Sequence, residues 1–175
     1  MRFAYADPPY LGCGARLYGK THPDAAAWDD PATHRQLVAR LVAEFPDGWA
    51  LSLHTPSLMT YCRFPEMPED VRFSAWVKPF ASFKPGVNPA YAWEPIIWRG
   101  GRKMGRDVPT VRDWVSANIT MQRGLAGAKP DTFATWLYHL LGAQPEDEMV
   151  DVFPGTGAVS RAWADASALT LRNEA

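Results

Sequence analysis

The hydrophobic positions of this chain follow two different periods. Short runs of consecutive apolar residues are typical of buried strands, whereas apolar residues three or four positions apart are typical of amphipathic helices. Runs of the first kind predict strands at residues 2–6, 49–53 and 149–153. Stripes of the second kind predict helices at residues 31–45, 131–141 and 158–166. Because strands and helices alternate along the chain, the pattern indicates an α/β fold.

The middle of the chain predicts shorter and more exposed elements. Residues 71–77 alternate between apolar and polar side chains, which is the period of a half-buried strand, and residues 91–98 predict a further strand. Residues 56–63 predict a short helix. Residues 11–30 and 78–89 are rich in glycine, proline and polar side chains and predict loops. We expect the first of these loops to be flexible and to gate access to a substrate.

The order of the first three elements restricts the topology. A strand, a helix and a second strand form a βαβ unit, which requires a parallel strand pair and a right-handed crossover. A mostly parallel central sheet with helices on both faces is therefore expected. The length of 175 residues suits one domain with a sizeable core.

Composition mainly excludes classes of protein. The chain is 47% apolar and 21% charged with a net charge of -1, so its bulk charge does not indicate a polyanionic partner. We find neither a bilayer-spanning apolar run nor a signal peptide, which predicts a cytoplasmic protein without a membrane partner. Cys13 and Cys62 are too few for a disulfide scaffold. Neither they nor the four histidines have a zinc-site spacing, so we expect no metal, and we expect His54 to be structural.

The first predicted strand ends in the motif Asp7-Pro8-Pro9-Tyr10. Proline has no backbone N–H, so the two prolines end the strand and leave backbone carbonyls free to accept hydrogen bonds. The Asp7 carboxylate and the Pro8 carbonyl can each accept a hydrogen bond from an exocyclic amine, and the Tyr10 ring can stack on the heterocycle that carries it. The motif therefore indicates a site where a ring amine becomes a nucleophile.

The last predicted strand leads into a second motif, Asp151-Val152-Phe153-Pro154-Gly155-Thr156-Gly157. Its two glycines allow the backbone to approach a ligand closely, and the N-terminus of the following helix favours a carboxylate. Asp151 can bind an amino group, and Phe153 can pack against apolar parts of a ligand. No Lys-Ser or Lys-Thr follows, which disfavours a phosphate-binding loop.

These two motifs resemble those of the permuted amino-methyltransferases, which modify adenine N6 or cytosine N4 with S-adenosylmethionine. In that family the catalytic motif precedes the cofactor motif, as it does here, and the resemblance spans residues 2–10, 91–98 and 129–163. It implies a Rossmann-like fold in the circularly permuted class I methyltransferase order, as a single domain over residues 1–175. The strands at residues 2–6 and 149–153 are then expected to be adjacent and parallel at the centre of one sheet. The implied catalytic residues are Asp7, Pro8, Pro9 and Tyr10. The implied cofactor-binding residues are Ala6, Lys129, Pro130, Phe133, Asp151, Phe153, Gly155 and Gly157.

A basic segment predicts contacts with a nucleic acid. Residues 99–106 read Arg-Gly-Gly-Arg-Lys-Met-Gly-Arg, and residues 99–129 hold seven Lys and Arg against two Asp. A loop rich in glycine and arginine suits a phosphate backbone, although a solvated surface loop is the alternative. The predicted nucleic-acid-binding residues are Lys20, Arg99, Arg102, Lys103 and Arg106.

Three departures from the family pattern affect the prediction. The family continues into a strand that ends in a ribose-binding acid, and only residues 168–171 and Glu174 are candidates for these here. An edge strand of the usual seven is also expected to be missing. No separate target-recognition domain is predicted, so residues 55–128 would have to complete the sheet and select the substrate.

The resemblance favours adenine N6 in DNA as the methyl acceptor, because the family uses Asp more often for adenine and Ser more often for cytosine N4. Cytosine N4, RNA and a small-molecule amine stay open as alternatives. From a different class, a non-catalytic nucleic-acid-binding module with a degenerate methyltransferase fold is possible, but the intact Asp7-Pro8-Pro9-Tyr10 motif argues against it. We expect a monomer or a homodimer.

Overall fold

A computed structural model of the chain describes residues 1–20, 22–80, 86–119 and 128–173, with the backbone alone from residue 169 onward. The described strands are β1 (Arg2–Ala6), β2 (Gly48–Ser52), β3 (Arg72–Val77), β4 (Trp93–Gly100), β5 (Trp114–Ser116) and β6 (Glu148–Asp151). The described α-helices are α1 (Gly14–Tyr18), α2 (Pro31–Glu44), α3 (Leu58–Tyr61), α4 (Asp131–Leu141) and α5 (Ala158–Asn173). Two 3₁₀ helices span Pro23–Asp29 and Thr55–Ser57.

The strands form one sheet in the order β5-β3-β4-β2-β1-β6. β1 pairs in parallel with both β2 and β6, and β3 pairs in parallel with β5. β4 is antiparallel to both of its neighbours, so five of the six described strands run in one direction. The carboxyl ends of β1, β2 and β6 consequently lie on the same side of the sheet as the amino end of β4. Below, an edge of the sheet means one of the two sides at which the strands begin or end.

Successive residues of a strand point to opposite faces of the sheet, and in β1 and β2 the residues on both faces are buried. Helices therefore pack on both faces of the sheet. On one face, Phe3 and Tyr5 pack with Phe133 and Leu137 of α4. On the other face, Ala4 and Ala6 pack with residues of α2 that include Leu41. The second of these cores is completed by Leu37, Val38, Phe45, Trp49, Leu51, Leu53, Tyr61 and Ile97. The expected mostly parallel sheet between two helical layers is confirmed.

The pairing of the first and last strands is only partly as predicted. The strands at residues 2–6 and 149–153 are adjacent and parallel, with Tyr5 opposite Asp151. However, we expected both at the centre of the sheet, and β6 is an outermost strand of the described sheet. The described residues form six strands, and the expected absence of a seventh stays a prediction. No described helix has the length and apolar character that would let it cross a membrane.

Much of residues 11–20 and 22–30 is helical, so the prediction of a loop there is wrong. They contain α1 and the first 3₁₀ helix. The Asp29 carboxylate accepts hydrogen bonds from the Gly14 and Ala15 backbone N–H groups at 2.7 and 3.0 Å, which caps α1. Gly14 has no side chain, and a Cβ there would overlap the Ala25 carbonyl oxygen, so glycine permits the close packing of the two helices. Because these contacts are local and do not depend on an apolar stripe, no hydrophobic periodicity in the sequence could predict the two helices.

Two further predictions need correction. Strand β5 was not predicted, because a strand of three residues is too short to show a period. Residues 168–171, the candidate for a further strand, belong to helix α5, which continues past residue 166 to Asn173. Glu174, the candidate for the ribose-binding acid, lies outside the described residues. The helix prediction for residues 131–141 is confirmed, and it ends at Gly142 in the left-handed conformation (φ 62°).

Close contact between β2 and β4 predicts a stability difference between two glycine variants. Gly100 and Gly12 have nearly the same positive φ, 75° and 76°. A Cβ on Gly100 would lie 2.6 Å from the Asp47 carbonyl oxygen, whereas a Cβ on Gly12 would meet nothing within 4 Å. Both alanine variants should lose about 1–2 kcal/mol from backbone strain, and Gly100→Ala should lose about 1–3 kcal/mol more from the clash. Urea denaturation measures both losses, and equal losses would contradict this packing.

Candidate active site

The two sequence motifs meet at one edge of the sheet because β1 and β6 are neighbours. Asp7 follows the last residue of β1, and Asp151 is the last residue of β6. The Val152 N–H donates to the Tyr5 carbonyl at 2.9 Å, which continues the pairing of the two strands beyond β6. The backbone after Asp7 cannot continue it, since Pro8 and Pro9 have no N–H. The chain therefore leaves the sheet directly at Asp7.

Asp7 lies between two cavities. The larger is a cleft of about 960 Å³. It lies between residues 151–157, which we call the Asp151 loop, and a side formed by Tyr18 and residues 22–28. The smaller is a pocket of about 60 Å³ between Pro8, Tyr10 and Glu94. Asp7, Tyr18 and Lys129 line both cavities. A ligand in the cleft and a chemical group in the pocket would therefore meet at the Asp7 carboxylate.

A buried cluster of charges fixes the position of Asp7. The Lys129 ammonium lies 3.2 Å from Asp7 Oδ1 and 3.0 Å from Glu94 Oε2, and it donates to the Tyr10 hydroxyl at 3.1 Å. Lys78 Nζ lies 2.9 Å from the other Glu94 oxygen, and the Tyr10 hydroxyl donates to Glu94 at 2.6 Å. The Lys129 side chain is only 4% exposed. An ammonium has three N–H donors, and Lys129 uses each of them within this cluster.

The cluster balances two carboxylates against two ammonium groups, and the pKa values follow from this arrangement. Burial raises the pKa of Asp7 above its ordinary value, and the nearby Lys129 ammonium offsets that rise only in part. Burial also opposes ionisation of Glu94, but Lys129 and Lys78 together outweigh it and lower the pKa of Glu94 to about 2. Burial opposes the charge of Lys129 as well, yet Asp7 and Glu94 raise its pKa above the ordinary value. Glu94 and Lys129 are thus charged at neutral pH.

The Tyr10 ring forms one wall of the small pocket. It stacks on the His54 ring, with centroids 5.4 Å apart and planes 15° from parallel. His54 is held in turn by a 2.8 Å hydrogen bond between its Nδ1 and Ser57 Oγ. One face of Tyr10 is therefore already covered by an aromatic partner, and its hydroxyl is held by Glu94 and Lys129. His54, which we expected to be structural, thus holds Tyr10 of the Asp7-Pro8-Pro9-Tyr10 motif in place.

The Asp151 loop turns sharply between β6 and α5. Gly155 and Gly157 have φ values of 46° and 72°, which side chains other than glycine rarely adopt. The Asp151 carboxylate accepts hydrogen bonds from the Phe153 backbone N–H at 3.3 Å and from Ser160 Oγ at 3.2 Å. Burial raises the pKa of Asp151, and these two donors lower it in part. The loop is therefore shaped by its own contacts around the end of the cleft.

The structure brings half of the eight predicted cofactor residues to the cleft. Asp151, Phe153, Gly155 and Lys129 line the cleft. Four other predicted residues are absent from that lining, namely Ala6, Pro130, Phe133 and Gly157. Phe133 is fully buried and packs against Tyr5, with ring centroids 5.8 Å apart. Pro130, the residue before α4, is half-buried.

The basic segment lies at the opposite edge of the sheet, because β4 runs antiparallel to β1 and carries the chain away from Asp7. Arg99 pairs with Asp70 at 2.6 Å, and Arg102 pairs with the buried Asp147 carboxylate at 2.8 Å. Lys103 and Arg106 follow as exposed residues. Residues 99–106 are thus separated from both cavities by the length of β4, and their predicted contact with a nucleic acid stays a prediction. Lys20 is exposed near the cleft wall, and its predicted role stays a prediction.

Sequence reasoning missed several residues that shape the site. Glu94 and Lys78 complete the charge cluster. Only Glu94 lies in a segment that the sequence singled out, since residues 91–98 are part of the resemblance to the amino-methyltransferases. Trp28 lines the cleft and packs edge-on against Phe153, with ring centroids 4.9 Å apart. It lies in the segment predicted as a loop, so nothing marked it. No group of His, Cys, Asp or Glu among the described residues is arranged to hold a metal ion.

The charge cluster predicts the titration of Asp7 in a lysine variant. Lys129→Met removes the ammonium that lowers the pKa of Asp7, while burial, which raises that pKa, stays. The pKa of Asp7 should therefore rise further above its ordinary value. Carboxyl carbon NMR over a pH series measures this shift, and a melting curve checks that the variant is folded.

Lys78→Met is the matched control, because it removes a positive charge from the same cluster without touching Asp7. It should raise the pKa of Glu94 from about 2 and change that of Asp7 much less. Equal Asp7 shifts in both variants would contradict a direct contact between Lys129 and Asp7.

Comparisons with protein families and with curated sequences find no match to this chain. Among solved structures, the chain is similar to the crystal structure of an M1.HpyAVI–SAM complex, with a TM-score of 0.59 and 13% sequence identity. The similarity covers 95% of this chain and 78% of that chain. At this identity the likeness is one of fold. The chain thus has a Rossmann-like α/β fold, shared with a protein whose crystal structure contains SAM.

Proposed function

We propose that this protein transfers a methyl group from S-adenosylmethionine to an exocyclic amine of a nucleobase, with adenine N6 in DNA as the leading acceptor. One observation carries the proposal: Asp7 of the Asp7-Pro8-Pro9-Tyr10 motif lies where a large cleft and a small polar pocket meet. Methyl transfer needs this geometry, because donor and acceptor must approach each other in line from two sides. The fold shared with the SAM-bound protein supports the cofactor assignment.

The residues that line the cleft fit this cofactor. A volume of about 960 Å³ is within the range of ligand sites. The Asp151 carboxylate would bind the cofactor's amino group, and the turn at Gly155 would lie against its carboxylate at the start of α5. Phe153 and Trp28 would contact its apolar parts. When bound, S-adenosylmethionine supplies an electrophilic methyl group on a sulfonium.

The small pocket suits an amine. Its polar groups include the Asp7 carboxylate, which accepts hydrogen bonds, and the Pro8 carbonyl follows in the same motif. Together they would accept the two amine hydrogens and orient the nitrogen lone pair towards the cleft. Lys129 holds Asp7 in place and also contacts Glu94. Asp7 therefore acts by orientation and electrostatics, and the amine proton can leave after methyl transfer.

A nucleobase is the proposed acceptor because two aromatic side chains, Tyr10 and Tyr18, line the small pocket together with Asp7. The His54 ring, stacked on Tyr10, holds the Tyr10 ring in its orientation. A base in duplex DNA would have to leave the stack to reach this pocket. Adenine is favoured over cytosine because the motif begins with Asp. The distant basic segment at residues 99–106 is not part of this proposal.

Mass spectrometry of nucleosides tests the proposal directly. The protein is incubated with S-adenosylmethionine and with DNA or RNA, and the digested nucleosides are analysed. N6-methyladenine in the DNA sample is the expected product. N4-methylcytosine, or a methylated base in RNA alone, would correct the acceptor, and no methylated base in either sample would contradict the function.

The catalytic prediction concerns Asp7→Ala. Lys129 keeps Glu94 and Tyr10 as partners in this variant, so the fold should be retained. Loss of one preorganised hydrogen-bond acceptor costs about 3–4 kcal/mol, so methyl transfer should fall by two or more orders of magnitude. Cofactor affinity, measured by calorimetry, should stay near the wild-type value. A variant that methylates at nearly the wild-type rate would rule out the assigned role of Asp7.

Tyr10 predicts a graded effect. Tyr10→Ala removes both the ring that stacks on His54 and the hydroxyl that Glu94 and Lys129 hold. Tyr10→Phe keeps the ring and loses only the hydroxyl, so it should restore base capture but leave turnover below wild type. Base stacking is worth about 1–3 kcal/mol, which sets the expected gap between the two variants. Single-turnover rates over a range of DNA concentrations separate capture from turnover. Identical kinetics of Tyr10→Phe and wild type would show that the hydroxyl contacts are not needed.

A further inference from the structure

One wall of the large cleft comes from a part of the chain that neither motif includes. We call α1 and the first 3₁₀ helix, Gly14–Tyr18 and Pro23–Asp29, the wall segment. It lies opposite the Asp151 loop, since both line the same cleft. The wall-segment residues that line the cleft, together with His22 just before the 3₁₀ helix, are Tyr18, His22, Pro23, Asp24, Ala25 and Trp28.

The wall segment is held in place by contacts outside the cleft. Asp29 accepts hydrogen bonds from Gly14 and Ala15 and thereby joins its two helices. His34 Nε2 lies 2.7 Å from the Trp28 carbonyl oxygen, which ties the segment to α2. The Trp28 ring also packs against Phe153 of the Asp151 loop. The segment is therefore a fixed wall, which is what a ligand-binding surface needs.

The side chains of the wall segment suit the adenosine part of the cofactor, which the groups of the Asp151 loop do not. The loop offers groups for an amino acid, namely the Asp151 carboxylate and the start of α5. An adenosine moiety needs an apolar surface for its ring and a hydrogen-bond acceptor for its ribose hydroxyls. The wall segment offers both, because Trp28 and Pro23 are apolar and Asp24 is a carboxylate.

Asp24 is available for a ligand. It is exposed and lines the cleft, and its carboxylate has no ion pair or hydrogen bond within the described part of the chain. Asp29 and Asp30, its acidic neighbours, both accept hydrogen bonds from helix N-termini. A carboxylate has two oxygens that can accept one hydrogen bond from each hydroxyl of a ribose diol. Acidic side chains bind ribose hydroxyls in other nucleotide-binding folds in this way.

We infer that Asp24 binds the ribose hydroxyls of the cofactor, and that the wall segment therefore provides the adenosine part of the site. This inference rests on the proposed function, because it assumes S-adenosylmethionine in the cleft. It assigns to a helix near the start of the chain a role that the related family gives to a strand after the cofactor motif.

Calorimetry with S-adenosylhomocysteine tests the inference without any need for activity. Asp24→Asn keeps the size of the side chain but removes its charge, and the exposed position should leave the fold intact. Hydrogen bonds to a charged group are worth about 1.5–3 kcal/mol, so the affinity should fall about 10- to 100-fold. Glu146→Gln, an exposed acid at the opposite edge of the sheet, is the control and should bind like wild type.

A cofactor analogue identifies the hydroxyls as the groups that Asp24 binds. Wild type should bind 2′,3′-dideoxy S-adenosylhomocysteine about as weakly as Asp24→Asn binds the normal ligand. The variant should lose little more with the analogue, since the contact is already absent. Equal affinity of Asp24→Asn and wild type for S-adenosylhomocysteine would overturn the inference alone. A wild-type protein that binds no S-adenosylhomocysteine would overturn the proposed function as well.

Discussion

The arrangement around the Asp7-Pro8-Pro9-Tyr10 motif depends on one buried ammonium group. Lys129 reaches Asp7 and Tyr10 of the first motif and Glu94 of β4, all within 3.2 Å. These residues lie far apart in the chain, so one nitrogen atom joins the end of β1, the start of β4 and the start of α4. Buried charges are tolerated only when they are paired, and removing one partner leaves the others uncompensated. The positions of Asp7, Tyr10 and Glu94 are thus coupled.

Periodic elements were predictable from the sequence, and contacts between distant residues were not. Helices α2 and α4 have apolar stripes, and both were predicted. Residues 11–30 have no such stripe, because their structure depends on local contacts such as the hydrogen bonds from Gly14 and Ala15 to Asp29. The α/β class and the pairing of β1 with β6 therefore followed from the sequence. The cleft wall did not.

The candidate site shows the same division. The sequence identified Asp7 and Asp151 because each follows a predicted strand and belongs to a motif. It did not identify Lys78 or the link from Glu94 to Lys129, since these contacts arise from the antiparallel pairing of β4. That same pairing carries residues 99–106 to the opposite edge of the sheet. Strand direction, which residue types alone do not reveal, separates the Asp7 carboxylate from a distant cluster of arginines.

The position of Asp7 between two separate cavities also bears on the order of events in a reaction. The cleft and the pocket share Asp7, Tyr18 and Lys129, while the remaining lining of each is its own. Under the proposed methyl transfer, each ligand would therefore occupy its own cavity, and both would be bound at once. Such a ternary complex would pass the methyl group directly between the two ligands and would not require the protein to store it.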